Sequence, residues 1–495
     1  MPDPQPPSLD ASGDHEYCDD CETFGPNRSY CNVCTLSMCE NCWKRQLTHK
    51  NNASQYDIPH EKTPRSLARK TQAVFHPDID EDERQKLHCK DVLTSWFGNH
   101  SYLDPSARYP SFVSFVGQTG AGKSSLIKLI IDLGAKTPGL FDTPVVGAVG
   151  NTSPTSTDVH LYVDPPTADS DHPILYADCE GLEGGEREPV AAKAIKQRAT
   201  KAIPGVSDHS FHHVSERDLI WADKSWRRTR EFAVRELYPR LLYTFSDVIV
   251  FVLKNPKVIE SVLVKLVEWA AAALEGSSNQ PVLPHAIIAL NASENATSTE
   301  LWDVNIATTT LMREMSQTVF QNETLKKYVQ FWHKRDKIIR TVEDLILSYY
   351  TSIKVVRIPT TGRPNLIAKQ INDLTANIRS ACQVSGRRKG DLRMLLSAED
   401  MQPYLQYAFD HFSKSIESPF DFVQASFAHS PIPDDFGGNI LKLAVQLMEA
   451  WKDRAGPRPI FEEPAVVVAS CIMLDATRHG ILGESSYMNY CKSRG

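Results

Sequence analysis

The stretch Phe112–Ile131, FVSFVGQTGAGKSSLIKLII, decides how the rest of the chain is read. An apolar run, Phe112 to Val116, is followed by Gly117-x4-Gly122-Lys123-Ser124 and then by a helical pattern. That strand, glycine loop and helix is the context in which a Walker A match carries weight. Gly117, Gly120 and Gly122 let backbone amides come close to phosphate oxygens, with Gln118, Thr119, Ala121 and Ser125 completing the loop and first helical turn. The helix would point its N-terminal amides and positive dipole end at the same anion. Lys123 is placed to bridge β- and γ-phosphates, and Ser124 to ligate Mg²⁺.

A phosphate loop needs a second half, an acidic residue at the end of a neighbouring parallel strand. PILYADCEGLEGG supplies it about 55 residues downstream. Asp178 ends the apolar run, and Asp178-Cys179-Glu180-Gly181 fits an Asp-x-x-Gly pattern in which Asp178 holds Mg²⁺ through water and the Gly181 amide senses the γ-phosphate. Between the two lies GNTSPTSTDVHLYVDP, a Ser/Thr-rich loop whose Thr155, or alternatively Thr157, would complete the Mg²⁺ shell. Lys123, Thr155 and Gly181 are therefore the candidate catalytic set. Further on, HAIIALNASEN places Asn291 and Glu294 where a base would be read, and IKVVRIPTTGRP places Thr360, Thr361 and Gly362 where remaining base and ribose contacts would come from.

Apolar runs that read as strands alternate with helical patterns around these motifs. The strands are Phe112–Val116, Val159–Val163, Ile174–Ala177, Val248–Leu253, Ala286–Leu290 and Val355–Ile358. Helical stretches include Lys123–Ile131, Thr229–Tyr243, Ile259–Leu274, Leu301–Met315, Val342–Tyr350 and Asn365–Ser380. Such alternation implies an α/β sheet. Through GQTGAGKSS, the Thr155 loop and DCEGL, the segment from about Arg108 to Ser380 resembles the large GTPases of the dynamin and guanylate-binding protein type. The resemblance implies a P-loop GTPase-like three-layer sheet domain, GTP/GDP binding, slow hydrolysis, and action through self-assembly or partner binding.

Two positions depart from that pattern. The usual Asn/Thr-Lys-x-Asp base reader is Asn291-Ala292-Ser293-Glu294 here, without the lysine and with a longer acid. Base selectivity depends on such geometry, so an ATP-binding or unselective NTPase stays open. Leu182 follows Gly181, where small GTPases carry a water-orienting glutamine. Backbone groups of the Thr155 loop would have to place the water, and an arginine would stabilise charge. Arg187 and the Trp226-Arg227-Arg228 cluster are candidates in cis. A non-hydrolysing, nucleotide-bound adaptor is the third reading.

Six of the eleven cysteines crowd into 25 residues, which in a reducing compartment points to metal. The order is Cys18-x2-Cys21-x9-Cys31-x2-Cys34-x4-Cys39-x2-Cys42-x6-His49-x10-His60, eight ligands for two tetrahedral zinc ions. Cys18, Cys21, Cys39 and Cys42 are assigned to one ion, and Cys31, Cys34, His49 and His60 to the other. His76 is the rival of His60. The run CNVCTLSMCENCWKRQLTHK resembles the B-box class of cross-braced zinc finger, with the ZZ type second. That resemblance implies a structural, protein-binding module, and closed four-ligand sites leave no open position for chemistry.

The remaining features bound the whole. A length of 495 residues with 41% hydrophobic and 23% charged residues suggests about three domains. With 54 Lys+Arg against 61 Asp+Glu, a net charge of −7 gives no bulk attraction to nucleic acid or an anionic membrane, so any such partner must be local or indirect. The basic stretch LKKYVQFWHKRDKIIR, with Lys326, Lys327, Lys334, Arg335 and Lys337, reads as the solvated face of an amphipathic helix. No apolar run reaches the roughly 20 residues of a transmembrane span, and the N-terminus lacks a signal-peptide pattern, so a cytoplasmic protein is expected. The expected organisation is a disordered tail over 1–13, a zinc module over 14–66, a helical connector over 67–108, a P-loop G domain over 109–380 and a helical region over 381–495. The connector rests on Leu87, Val92, Leu93 and Trp96 sharing a helical face. Partners would meet the zinc module, and self-association would use the G domain or the helical C-terminal region.

Overall fold

A computed structural model of the chain describes residues 104–136, 159–179, 214–254, 259–274, 282–293, 297–360, 362–392, 394–418 and 420–429, with shorter segments between 16 and 93 and helical positions beyond 438. It divides into two units, Met1–Phe420 and Asp421–Gly495. The first is built on a nine-stranded sheet. Its strands are β1 (Ala73–Ile79), β2 (Gln85–Lys90), β3 (Ser111–Gly117), β4 (Val159–Val163), β5 (Ile174–Asp178), β6 (Val214–Asp218), β7 (Val248–Leu253), β8 (His285–Ser293) and β9 (Ile353–Pro359). In space they run β6-β2-β1-β4-β5-β3-β7-β8-β9.

The half from β5 to β9 is parallel throughout, and the half from β6 to β4 is antiparallel, including the β4–β5 pair. Composition explains the parallel half. VIVFVL of β7 and SFVSFVG of β3 are buried at every position, as expected for strands covered on both faces. One face carries Val113, Phe115, Val248, Val250 and Val252, which pack against α1 (Lys123–Gly134) and α6 (Pro364–Asp391). The other face packs against α2 (Arg230–Phe245) and α3 (Ile259–Leu274), where Phe251 meets Trp269 edge-on at 5.9 Å. In α1, Leu126, Ile127, Ile130 and Ile131 are buried at helical spacing, each contributing roughly 1.5–3 kcal/mol.

All six strands expected from the sequence are present, with small differences at their ends. The helical connector expected over 67–108 is corrected: β1, β2 and the short helix Pro105–Ala107 lie there. In QKLHCK the alternate residues Gln85, Leu87 and Cys89 are buried, a period of two that the 3.6-residue reading of Leu87 and Leu93 overlooked. The boundary expected at 380/381 is also moved. Helix α6 runs through it, because its apolar stripe continues from Ile371, Leu374 and Ile378 to Cys382 beneath the sheet. Helix α7 (Ala398–Lys414) follows in the same unit, burying Leu405 and Phe409. Helices α4 (Val304–Glu314) and α5 (Glu323–His333) lie between β8 and β9.

Two buried carboxylates tie the helices to the sheet away from the glycine loop. Asp164, fully buried just after β4, receives Arg379 through 2.8 and 3.1 Å hydrogen bonds, Tyr176 Oη at 2.9 Å and Thr167 Oγ1 at 3.1 Å. Asp247, before β7, accepts the Phe112 amide at 3.0 Å and Ser385 Oγ at 2.5 Å, and pairs with Lys389 Nζ at 2.6 Å. Burial, with the Asp164 charge, raises the Tyr176 hydroxyl well above its ordinary pKa and keeps it a donor. Among the described residues, no helix is long and apolar enough to cross a membrane.

Candidate nucleotide-binding site

Strand β3 is flanked by β5 on one side and β7 on the other, with the chain moving first one way and then the other. In an open parallel sheet this reversal leaves a crevice at the carboxyl ends of the strands, the usual ligand position. The glycine loop sits there. Gly117, at φ 144°, lies so close to β7 that a Cβ would stand 2.3 Å from the Val252 carbonyl oxygen. Gly120, at φ 76°, faces open space, and Gly122, at φ 95°, begins α1. Only glycine adopts these positive angles readily, so the three residues are fixed by backbone shape.

Lys123 is 6% exposed and folds back over the loop, donating to the Gln118 carbonyl at 3.0 Å and the Gly117 carbonyl at 3.2 Å. Ser124 Oγ donates to Asp178 Oδ2 at 2.7 Å. Asp178 reaches it because β5 and β3 pair in parallel with Asp178 opposite Phe115. Burial, reinforced by the Asp178 charge, pushes the Cys179 thiol far above its ordinary pKa, so it stays protonated.

The end of β8 closes the other side. Asn291 Nδ2 donates to the Ala121 carbonyl at 2.8 Å, and its Oδ1 accepts the Ala292 amide at 2.9 Å. Ala292 holds φ 54°, uncommon for a residue with a Cβ. A register shift between Leu290 and Ser293 brings Ser293 opposite Pro359, and the Thr360 amide donates to the Ser293 carbonyl at 3.0 Å. The structure therefore gathers Gly117–Ser125, Asp178, Asn291 and Thr360 at the carboxyl end of the sheet. The sequence pattern places Asn291 as a base contact. Its amide also braces the glycine loop, a role signalled in sequence by little more than an asparagine ending an apolar run.

Thr155, Thr157, Gly181, Leu182, Arg187, Glu294 and Thr361 lie outside the described residues. Both arginines of the Trp226-Arg227-Arg228 cluster are engaged locally. Arg227 donates to the Trp221 carbonyl at 3.2 Å and pairs with Glu417 at 3.6 Å, and Arg228 donates to the Ala222 and Asp223 carbonyls at 3.1 and 3.0 Å.

At the N-terminus, Ser29–Cys31 pairs with Leu36–Met38, ahead of the helix Glu40–Arg45, and with Lys62–Thr63, which follows that helix. The sulfurs of Cys21, Cys39 and Cys42 lie within 4.8 Å of one another, with Cys21 Sγ 3.8 Å from Cys39 Sγ. The Cys42 amide donates to Cys39 Sγ at 3.4 Å, the turn that a Cys-x2-Cys spacing makes. Sulfurs about 2.3 Å from a tetrahedral zinc stand about 3.8 Å apart, so this three-thiol set fits the ion. Met38 and Trp43 pack beside it. Cys18, Cys34, His49, His60 and the side chain of Cys31 lie outside the described residues. His76, the rival ligand, is in β1 of the large sheet, opposite His88.

No family model matches the chain, and no curated protein matches it in sequence.

Proposed function

We propose that the chain binds GTP with Mg²⁺, hydrolyses it, and works as a nucleotide-dependent switch or assembling GTPase whose zinc module meets protein partners. The observation that carries this reading is the 2.7 Å contact between Ser124 and Asp178 beneath a loop crossed by the Lys123 ammonium. A hydroxyl and a carboxylate held together are the hard oxygen donors that Mg²⁺ prefers, and Lys123 supplies the point charge for phosphate. Bound Mg²⁺ would neutralise charge developing on the transferred phosphoryl group.

The chain's own residues divide the remaining work. Gly117 to Ser125 present backbone amides and the start of α1 to the phosphates. Lys123 would exchange its two carbonyl partners for phosphate oxygens, since an ammonium gains more from anions than from neutral acceptors. Asn291 holds the Ala121 carbonyl and so keeps the loop open towards the base side. Thr155 and Gly181 are the proposed γ-phosphate sensors, and their release after hydrolysis would change partner contacts.

A second reading is an ATP-binding or unselective NTPase, favoured by Ala292, whose methyl replaces a long lysine stem at the base position. A third, the non-hydrolysing adaptor, keeps binding and drops turnover. Displacement of fluorescent GTP from the full chain separates the first two. GTP and GDP competing at least tenfold better than ATP, about 1.4 kcal/mol, supports the guanine reading, and equal competition by ATP replaces it with the NTPase reading. Phosphate release that rises with protein concentration supports an assembling GTPase. Binding without release at any concentration leaves the adaptor, and no binding with Lys123→Ala indistinguishable from the parent removes all three.

A further inference from the structure

The basic stretch that the nucleotide reading leaves unused has a specific shape. Helix α5 ends at His333, and the chain turns through Lys334, Arg335, Asp336 and Lys337 into Ile338. Asp336 holds φ 60°, which sets the turn. Residues 333 to 338 are all exposed, whereas Ile339 is 3% exposed and anchors the segment. A capping box between Thr341 and Asp344, with the Arg340 amide donating to Asp344 at 2.9 Å, fixes the far side. Within the turn the Arg335 and Lys337 amides donate to the Trp332 carbonyl at 3.0 and 3.1 Å, so its backbone is hydrogen-bonded on both sides.

Lys334, Arg335, Lys337 and Arg340 outnumber the two acids beside them, Asp336 and the half-buried Asp344, in a chain whose net charge is −7. Among them Ile338 is 70% exposed, the most exposed large apolar residue of the first unit among the described residues. A local cluster of cations attracts an anionic surface despite the overall charge, within about a Debye length. Cations alone would suit any polyanion. The isoleucine at the tip is the discriminating feature, because phosphate binding has no use for it, whereas apolar insertion below a headgroup layer does.

The rings beside the turn argue against single-stranded nucleic acid, which stacks bases on open aromatic faces. Phe331 already carries the Arg335 guanidinium 3.7 Å from its centroid, and Trp332 carries Lys337 at 5.0 Å. These contacts hold the two charged ends over rings of α5, and long cationic side chains can keep their heads at headgroup level while an apolar neighbour goes deeper.

We infer that the Lys334–Arg340 turn is a membrane-contact element that inserts Ile338 into a bilayer rich in anionic lipid. Its recognition is electrostatic first and apolar second. The nucleotide site plays no part in the contact, so the inference stands or falls apart from the proposed function.

Cosedimentation of the full chain with vesicles of phosphatidylcholine alone, and of phosphatidylcholine with phosphatidylserine, tests it. The expected result is binding to the phosphatidylserine vesicles only, weakened by added salt. Lys334→Glu with Arg335→Glu should lower it by about tenfold or more. Ile338→Asp should lower it as well, although that change leaves all four cations in place. Both variants alter exposed side chains, and an unchanged melting temperature checks that they fold. Binding that is absent, that is equal on the two vesicle types, or that survives either variant overturns the inference. So does capture of RNA that the charge variant abolishes and Ile338→Asp leaves intact, which would assign the turn to nucleic acid.

Discussion

Three buried aspartates, Asp178 at the carboxyl end of the parallel strands and Asp164 and Asp247 away from it, look alike by burial and differ in purpose. All are 2% exposed or less. Asp164 is enclosed by the nearby Thr167 and Tyr176 hydroxyls and the distant Arg379 guanidinium, and Asp247 by an amide, a hydroxyl and an ammonium that are all distant in the chain. Their partners clamp α6 to the sheet. Asp178 instead meets the hydroxyl of Ser124 within a glycine loop whose backbone angles suit a ligand. Buried charge at one end of the strands makes a closed structural joint. At the other end it stands beside the glycine loop, where we propose that the phosphates bind.

The largest effect that would break this comparison is expected at Asp164. Asp164→Ala takes the carboxylate from Arg379, itself one-third exposed, and the acceptor from the buried Tyr176 hydroxyl and from Thr167, losses that together cost about 3–5 kcal/mol. Denaturant unfolding should show that loss, while nucleotide affinity of the fraction still folded stays near the parent value. An apolar pair, Asp164→Leu with Arg379→Met, should recover much of the stability. A nucleotide defect in the folded Asp164→Ala protein would show that the two ends are coupled.

Lys123→Ala is the mirror experiment. Removing the ammonium from the loop should weaken fluorescent-GTP binding by about 2–5 kcal/mol with little change in melting temperature. A large loss of stability with unchanged affinity would make Lys123 a structural residue like Arg379.

Asn291→Ala sharpens the boundary of the site. It removes the amide from the Ala121 carbonyl, worth about 1–2 kcal/mol, and the loss should appear in nucleotide affinity more than in unfolding. If it appears only in unfolding, Asn291 belongs with the clamps.

The smallest effect is a pH dependence. His285 is buried, with Nδ1 2.7 Å from Ser352 Oγ. Burial lowers its pKa and the Asp247 charge opposes that shift. The folded protein therefore holds a neutral imidazole more tightly than the unfolded chain does. This contribution is complete above the unfolded value of about 6.5 and is lost as pH falls through the lower folded value. Stability should decline below neutrality, and His285→Asn should flatten that decline without altering nucleotide affinity at neutral pH.

Much of this was legible because local signals agreed. The six strands expected from apolar runs are there, since VIVFVL or FVSFV has no stable home except a strand covered on both faces. The glycine loop was legible because positive φ and close approach select glycine. The β1–β2 hairpin was missed because its buried Leu87 and Cys89 alternate over too few residues to outweigh a helical spacing. The boundary expected at 380/381 falls inside α6, because Cys382 packs under the sheet and Ser385 and Lys389 meet Asp247, contacts that helical periodicity does not reveal.

The sequence by itself determined the α/β alternation, the glycine loop with its lysine and serine, and the cysteine spacing. These depend on periodicity and backbone angle, which are properties of neighbours along the chain. Only the tertiary structure decided that Ser124 meets Asp178, that Asn291 braces Ala121, that Arg379 belongs to Asp164, and that Ile338 stands exposed among cations. Those contacts join residues brought together by strand order and helix packing, and no local pattern encodes the distance between them.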